Sequence, residues 1–185
     1  KRNKKFKKYF PLEKNKEMIK QIGEICLANY YKRYIKGFDE NINSVELKIS
    51  VKINDFSFNC IIDRLDIDDN GNYKIYDYKT GKKPISYSAA MNDLQLSLYQ
   101  LAIRENYKDS QTISLNWYYL RENKIITVEH TEDKISQLKN KILYLIEKMK
   151  SDKELAAKKS ILCDWCYFWE ECEVMVTSNP AKKLI

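Results

Sequence analysis

The first clear pattern along the chain begins at Glu13, where Met18, Ile22, Ile25, Cys26 and Asn29 recur with a period of roughly 3.6 residues. This predicts an amphipathic helix over Glu13–Lys36 with Gly37 as its stop, and places Cys26 on the core stripe. The period then drops to two. Leu47, Ile49, Val51 and Ile53 alternate with Lys48, Ser50, Lys52 and Asn54, the signature of a half-buried strand. Asn54-Asp55 turns the chain into a second strand, Phe56 to about Ile67. Asp68-Asp69-Asn70-Gly71-Asn72 is a turn cluster, and Tyr73–Lys79 is a third strand that ends at Thr80-Gly81. A helix follows from about Ser88 to Glu105, with Met91, Leu94, Leu98 and Leu101 as its apolar ridge. Strands at Thr112–Leu120 and Ile125–Glu129 precede a helix that Thr131 caps and that runs to about Lys150. Ile135, Leu138, Ile142, Leu145 and Met149 form its buried face.

The order α-β-β-β-α-β-β-α predicts a single α+β domain over 1–185, with a mixed sheet containing an antiparallel three-stranded meander. A cysteine segment at 160–173 and a loose tail at 177–185 close it. At 185 residues the chain can bury a core, and its 44% hydrophobic content excludes wholesale disorder. No apolar run approaches about 18 residues, which excludes a membrane helix. The net charge is +7, but Lys1, Arg2, Lys4, Lys5, Lys7 and Lys8 account for all but one unit of it. That tract is a candidate contact for DNA phosphates, or simply a solvated end. Five cysteines, an odd number, and no signal-peptide pattern point to a reducing, cytoplasmic setting. The start at Lys1 is read as an expectation that an N-terminal segment is missing.

The candidate chemistry lies at Asp63, Asp77 and Lys79. Asp77 and Lys79 are two apart on one strand, so they share a face, roughly 6.6–6.8 Å apart along it. If the hairpin pairs residues symmetrically about Asn70, partner numbers sum to 140 and Asp63 lies opposite Asp77. That register requires an odd-numbered loop or a bulge within Asp68–Asn72. Opposed carboxylates repel unless a cation bridges them, and oxygen ligands suit Mg²⁺ or Mn²⁺. Such an ion can polarise a phosphodiester and activate water, and Lys79 can hold the attacking water or stabilise developing charge. Asp-x-Lys alone is commonly a surface ion pair. Here the strand–hairpin–strand context is joined by Gln95 and Tyr99, four apart on one helix face.

Ile62-Asp63-Arg64-Leu65-Asp66, Asp77-Tyr78-Lys79-Thr80-Gly81 and Gln95-Leu96-Ser97-Leu98-Tyr99 together resemble the RecB-type branch of the PD-(D/E)XK nucleases. That branch includes RecB and AddB nuclease domains and the nucleases of CRISPR adaptation, and the resemblance runs from about Val45 to Cys172. It implies a restriction-endonuclease-like fold and a Mg²⁺- or Mn²⁺-dependent DNA nuclease. Asp63, Asp77 and the backbone carbonyl of Tyr78 are implied as metal ligands, Lys79 as the catalytic lysine, and Gln95 and Tyr99 as accessory site residues. Glu46 is similar to a glutamate found one strand earlier, which implies it as a further metal ligand; the alternative is an exposed strand start. The implied substrate is single-stranded or end-bearing DNA, in repair, recombination or CRISPR adaptation, with a helicase or adaptation partner. A catalytically idle DNA-binding or docking module is the alternative.

Cys163-x2-Cys166-x5-Cys172 is a second constellation, because thiolates this close select iron–sulfur clusters or zinc. Trp165, Tyr167, Phe168 and Trp169 can form a dry aromatic shell around it. The spacing resembles the late part of the 4Fe–4S staple in the same nuclease branch, with zinc as the alternative. The upstream cysteine and histidine implied by the resemblance have no match. Cys26 reads as core, as does Cys60, on the strand face opposite Asp63. His130 reads as a cap or exposed residue.

Overall fold

The structure, a computed structural model, describes residues 12–37, 42–154, 156–166 and 168–175. They fall into two compact units, 20–147 and, separately, 12–19 with 148–175. The basic residues Lys1 to Lys8 and the predicted tail lie outside the described residues.

The larger unit is built on five strands: β1 (Ile42–Ile53), β2 (Phe56–Ile67), β3 (Tyr73–Lys79), β4 (Ile113–Tyr119) and β5 (Lys124–Glu129). Their spatial order follows their sequence order. β1–β2–β3 is the expected antiparallel meander, β4 joins β3 in parallel, and β5 returns antiparallel to β4. A parallel neighbour requires a crossover. It is supplied by a short helix α2 (Tyr87–Ala90) and then α3 (Leu94–Asn106). The sheet is thus mixed and the class α+β, as the element order predicts.

The hairpin register matches the sequence arithmetic. Arg64↔Tyr76, Leu65↔Ile75, Asp66↔Lys74 and Ile67↔Tyr73 all sum to 140. Asp68 organises the five-residue loop between the strands. Its Oδ1 accepts from the backbone N–H of both Asn70 and Asn72 at 2.9 Å. Gly71 stands at φ +73°, a left-handed conformation that suits glycine, with Asp109 O only 3.4 Å from where a Cβ would be.

One sheet face carries the apolar core. Ile62, Leu65, Ile75 and Leu115 are sealed against Leu96, Ala102 and Ile103 of α3, with Ile142 of α4 (Glu132–Ser151) in the same cluster. Burying each Leu or Ile there contributes about 1.5–3 kcal/mol. The expected single helix over Ser88–Glu105 is broken, because Asp93 caps a new one: its Oδ1 accepts from Leu96 N at 2.9 Å. The break shifts the buried face to Leu96, Tyr99, Gln100, Ala102 and Ile103. Met91, Leu94, Leu98 and Leu101 are only partly covered. On α4, Ile135, Leu138 and Ile142 are buried as expected, whereas Met149 is exposed.

The opposite face is polar and aromatic. The first helix, α1 (Leu12–Tyr34), brings Tyr30 and Tyr34 to it and holds the turn after β4 through Asn29 Nδ2, which donates to Leu120 O at 2.9 Å, while Cys26 is buried and Met18 and Ile25 are exposed. The contacts run through side chains with polar tips, so the contacting stripe is offset from the apolar one. Arg64, 1% exposed, donates Nε and Nη2 to the two Asp66 carboxylate oxygens at 2.7 and 2.6 Å, and Nη1 to Tyr34 Oη at 3.0 Å. The rings of Tyr34 and Tyr76 lie 5.2 and 4.8 Å from the guanidinium carbon. Burial pulls the guanidinium pKa down, but the Asp66 and Tyr78 hydrogen bonds and the Asp66 charge outweigh it, and the net shift is upward. Removing one partner of such a pair strands the other charge. Arg64→Ala is therefore expected to cost about 3–5 kcal/mol in urea unfolding, and pairing Arg64→Met with Asp66→Leu to recover most of it. A loss below about 1 kcal/mol for Arg64→Ala would mean that the pair is effectively solvated.

The smaller unit holds a 3₁₀ turn, Ile161–Trp165, whose start is capped by Ser160 Oγ on Leu162 N at 3.2 Å.

Candidate active site

Asp63 and Asp77 meet at the open end of the β2–β3 hairpin. The pairing ends at Arg64↔Tyr76, and beyond it the Asp63 side chain takes over: its Oδ2 accepts from Tyr78 N at 2.7 Å. Asp77, 3% exposed, projects to the α3 side of the sheet. The Lys79 ammonium is 2.5 Å from Asp77 Oδ2 and 3.4 Å from Gln95 Oε1. Gln95 Nε2 donates to Tyr99 Oη at 2.9 Å. Lysine only donates, so the Gln95 carbonyl must face it and the amide nitrogen must face Tyr99. The resulting contact line, Asp77–Lys79–Gln95–Tyr99, ties β3 to α3. On the other side of Lys79, the Tyr119 hydroxyl accepts from Ile85 N at 2.9 Å and anchors the loop that follows β3.

The electrostatics are those of a crowded acidic site. Burial pushes the Asp77 carboxyl pKa up, the adjacent Lys79 ammonium pulls it down, and the charges of Asp63 and Asp93 raise it again; the net direction is upward. Burial lowers the Lys79 pKa, but the hydrogen bond and charge of Asp77, with Asp93 and Asp63, hold it above its ordinary value. Both directions are consistent with one picture: desolvation dominates at the sealed carboxylate, and ion pairing at the more exposed ammonium. Burial also raises the Tyr99 hydroxyl pKa, so Tyr99 stays protonated at neutral pH.

Asp77 Oδ2 is buried and makes no well-directed hydrogen bond, although Lys79 lies against it. With Asp63 across the hairpin, the donor set is all oxygen and its charge exceeds what one ammonium neutralises. This suits a small hard cation, which binds through one or two carboxylates and retains water. Among the described residues no group of three His, Cys, Asp or Glu side chains gathers into a metal cage.

The same observation bears on the cysteines. Cys163, Cys166 and Cys172 are free, and Cys163 Sγ accepts from Ser160 N at 3.3 Å, turned back onto its own 3₁₀ turn. Phe168 is exposed rather than forming part of a dry shell, and Tyr167 lies outside the described residues. Cys60 is buried in the core, as expected, but it belongs to the apolar cluster that includes Tyr99 and is not separated from the site. His130 is neither exposed nor a simple cap: it is buried, with Nδ1 2.8 Å from Gln100 Oε1. Glu46 is exposed within β1.

Sequence reasoning missed Asp93. Its signal was present, an Asp directly before the apolar run Leu94-Gln95-Leu96, but it was hidden inside a longer helical period.

A mixed sheet with helices on both faces, carrying an aspartate and an Asp-x-Lys strand on one hairpin, defines a restriction-endonuclease-like α+β core. A comparison with protein families matches residues 7–173 to the PD-(D/E)XK nuclease superfamily, and the chain belongs to that superfamily. A comparison with curated proteins gives no match.

The raised Asp77 pKa means that the fold binds this proton more tightly than the unfolded chain does. Its stabilising contribution is full below the ordinary carboxylate range, near about 4, and is lost as pH rises through the raised value. Without divalent ions, Asp77→Asn is therefore expected to melt at a higher temperature than wild type at pH 7, with the difference shrinking at acid pH. A lower melting temperature for the variant at pH 7 would show that the Lys79 pairing outweighs burial.

Proposed function

We propose that the chain hydrolyses phosphodiester bonds in single-stranded or end-bearing DNA, using Mg²⁺ or Mn²⁺ held by Asp63, Asp77 and the Tyr78 carbonyl. The observation that carries this reading is the buried Asp77 carboxylate, lacking a well-directed hydrogen bond at Oδ2, at the hairpin end shared with Asp63 and Lys79. A bound divalent ion supplies Lewis-acid polarisation of the phosphodiester and acidifies water. Lys79 keeps its proton and so stabilises negative charge growing on the phosphate, rather than acting as a base. Gln95 holds the ammonium in place, and Tyr99 holds Gln95.

Membership of the RecB-type branch, and with it a setting in repair, recombination or CRISPR adaptation beside a helicase or adaptation partner, rests on the resemblance of the three motifs. A 4Fe–4S staple on Cys163, Cys166 and Cys172, or zinc there, rests on the same resemblance and on thiolate chemistry. Iron and zinc analysis of anaerobically purified protein tests it.

Lys79→Ala should abolish cleavage of labelled DNA while retaining the fold and divalent-ion binding, because the lost contact acts on the transition state. Asp77→Asn should weaken ion binding as well. Cleavage by Lys79→Ala at the wild-type rate would remove the reaction from this site.

A further inference from the structure

Glu46 has a backbone conformation that its neighbours do not predict. Its φ is +49°, within strand β1. The other non-glycine residues described with positive φ are Asn54 and Asn123, asparagines at turns, where the left-handed region is tolerated. A glutamate inside a strand has no such excuse, and its strain points to a local demand.

The β1–β2 register locates that demand. Pairs from Ser44↔Leu65 to Ile53↔Phe56 keep a constant sum of 109, so no residue is inserted. Val45↔Arg64 and Leu47↔Ile62 are both paired, and the step between them, Glu46 and Asp63, is not. β2 loses its alternation at the same place. Ile62 and Leu65, three apart, are both sealed in one core cluster, while Arg64 is buried among the aromatic rings of the other face. A regular strand would put Ile62 and Leu65 on opposite faces. Asp63 lies at the centre of this rotation, and its carboxylate reaches Tyr78 N on β3.

We propose that Glu46 is a positioning residue acting through its backbone: its left-handed conformation opens the β1–β2 ladder by one step, so that β2 rotates and Asp63 turns onto Tyr78. The inference rests on Asp63 as a site residue. It assigns Glu46 a role independent of its charge.

Amide hydrogen exchange at Tyr78 in the intact chain tests this without any cleavage assay. Asp63→Ala should speed that exchange, which establishes the carboxylate as the acceptor. Glu46→Gly and Glu46→Asn, which adopt positive φ readily, should retain slow exchange, and Glu46→Gly should also melt higher by relieving strain. Glu46→Gln should match wild type. Glu46→Val should speed exchange by about tenfold or more, with Glu46→Ala between, so that Ala decides the order if Val fails to fold. Equal exchange in the Gly and Ala variants, exchange that follows charge so that Gln resembles Val, or unchanged protection in Asp63→Ala would each overturn the proposal. Failure of the nuclease reading would appear in Lys79→Ala cleavage and leave this exchange order untouched.

Discussion

The pairing of β2 with β3 is the constraint on which the site depends. A slip of one residue would send Asp63 and Asp77 to opposite faces of the sheet and dismantle the only place where the two carboxylates can meet. The register is fixed at the far end of the hairpin. There Asp68 accepts two backbone N–H groups and also bonds Asn72 Nδ2 at 3.0 Å, and Asp68 N closes the loop on Asn72 O at 3.1 Å. A tightly specified five-residue loop thus determines the geometry of an acidic site at the other end of the strands.

The two faces of the sheet divide the work. On the α3 side an apolar core seals Asp77 from water, which raises the cost of its charge and makes a cation, or the Lys79 ammonium, valuable there. On the other side Arg64 and Asp66 form a buried, fully directed pair inside a cage of tyrosines from α1 and β3. Arg64 is next to Asp63 in sequence, and Tyr78 lies between Asp77 and Lys79. The residues that grip α1 therefore alternate with those that make the site, and stability on one face holds position on the other.

Much of this was legible in the sequence because the signals were local. The period-two alternation of Leu47–Ile53 marks β1, and the turn cluster at Asp68–Asn72, paired symmetrically about Asn70, leads to the β2–β3 register. Gln95 and Tyr99, four apart, do share a helix face and do bond each other. What was not legible depends on tertiary context. The break before α3 needed the strength of Asp93 as a cap to be weighed against a continuous apolar period. His130 is buried with its ring against Gln100, thirty residues away. The Arg64–Asp66–Tyr34 cluster joins elements whose sequence separation hides any pattern. The left-handed Glu46 breaks a strand rule, and strand rules are what sequence reading relies on.

The most direct test of the account is cleavage of labelled single- and double-stranded DNA by the purified protein, assayed with Mg²⁺, with Mn²⁺ and with chelator in place of either. Asp63, Asp77 and Lys79 as described require cleavage with a divalent ion and none with chelator. Cleavage that persists undiminished in chelator would contradict a hydrolytic site built on paired carboxylates.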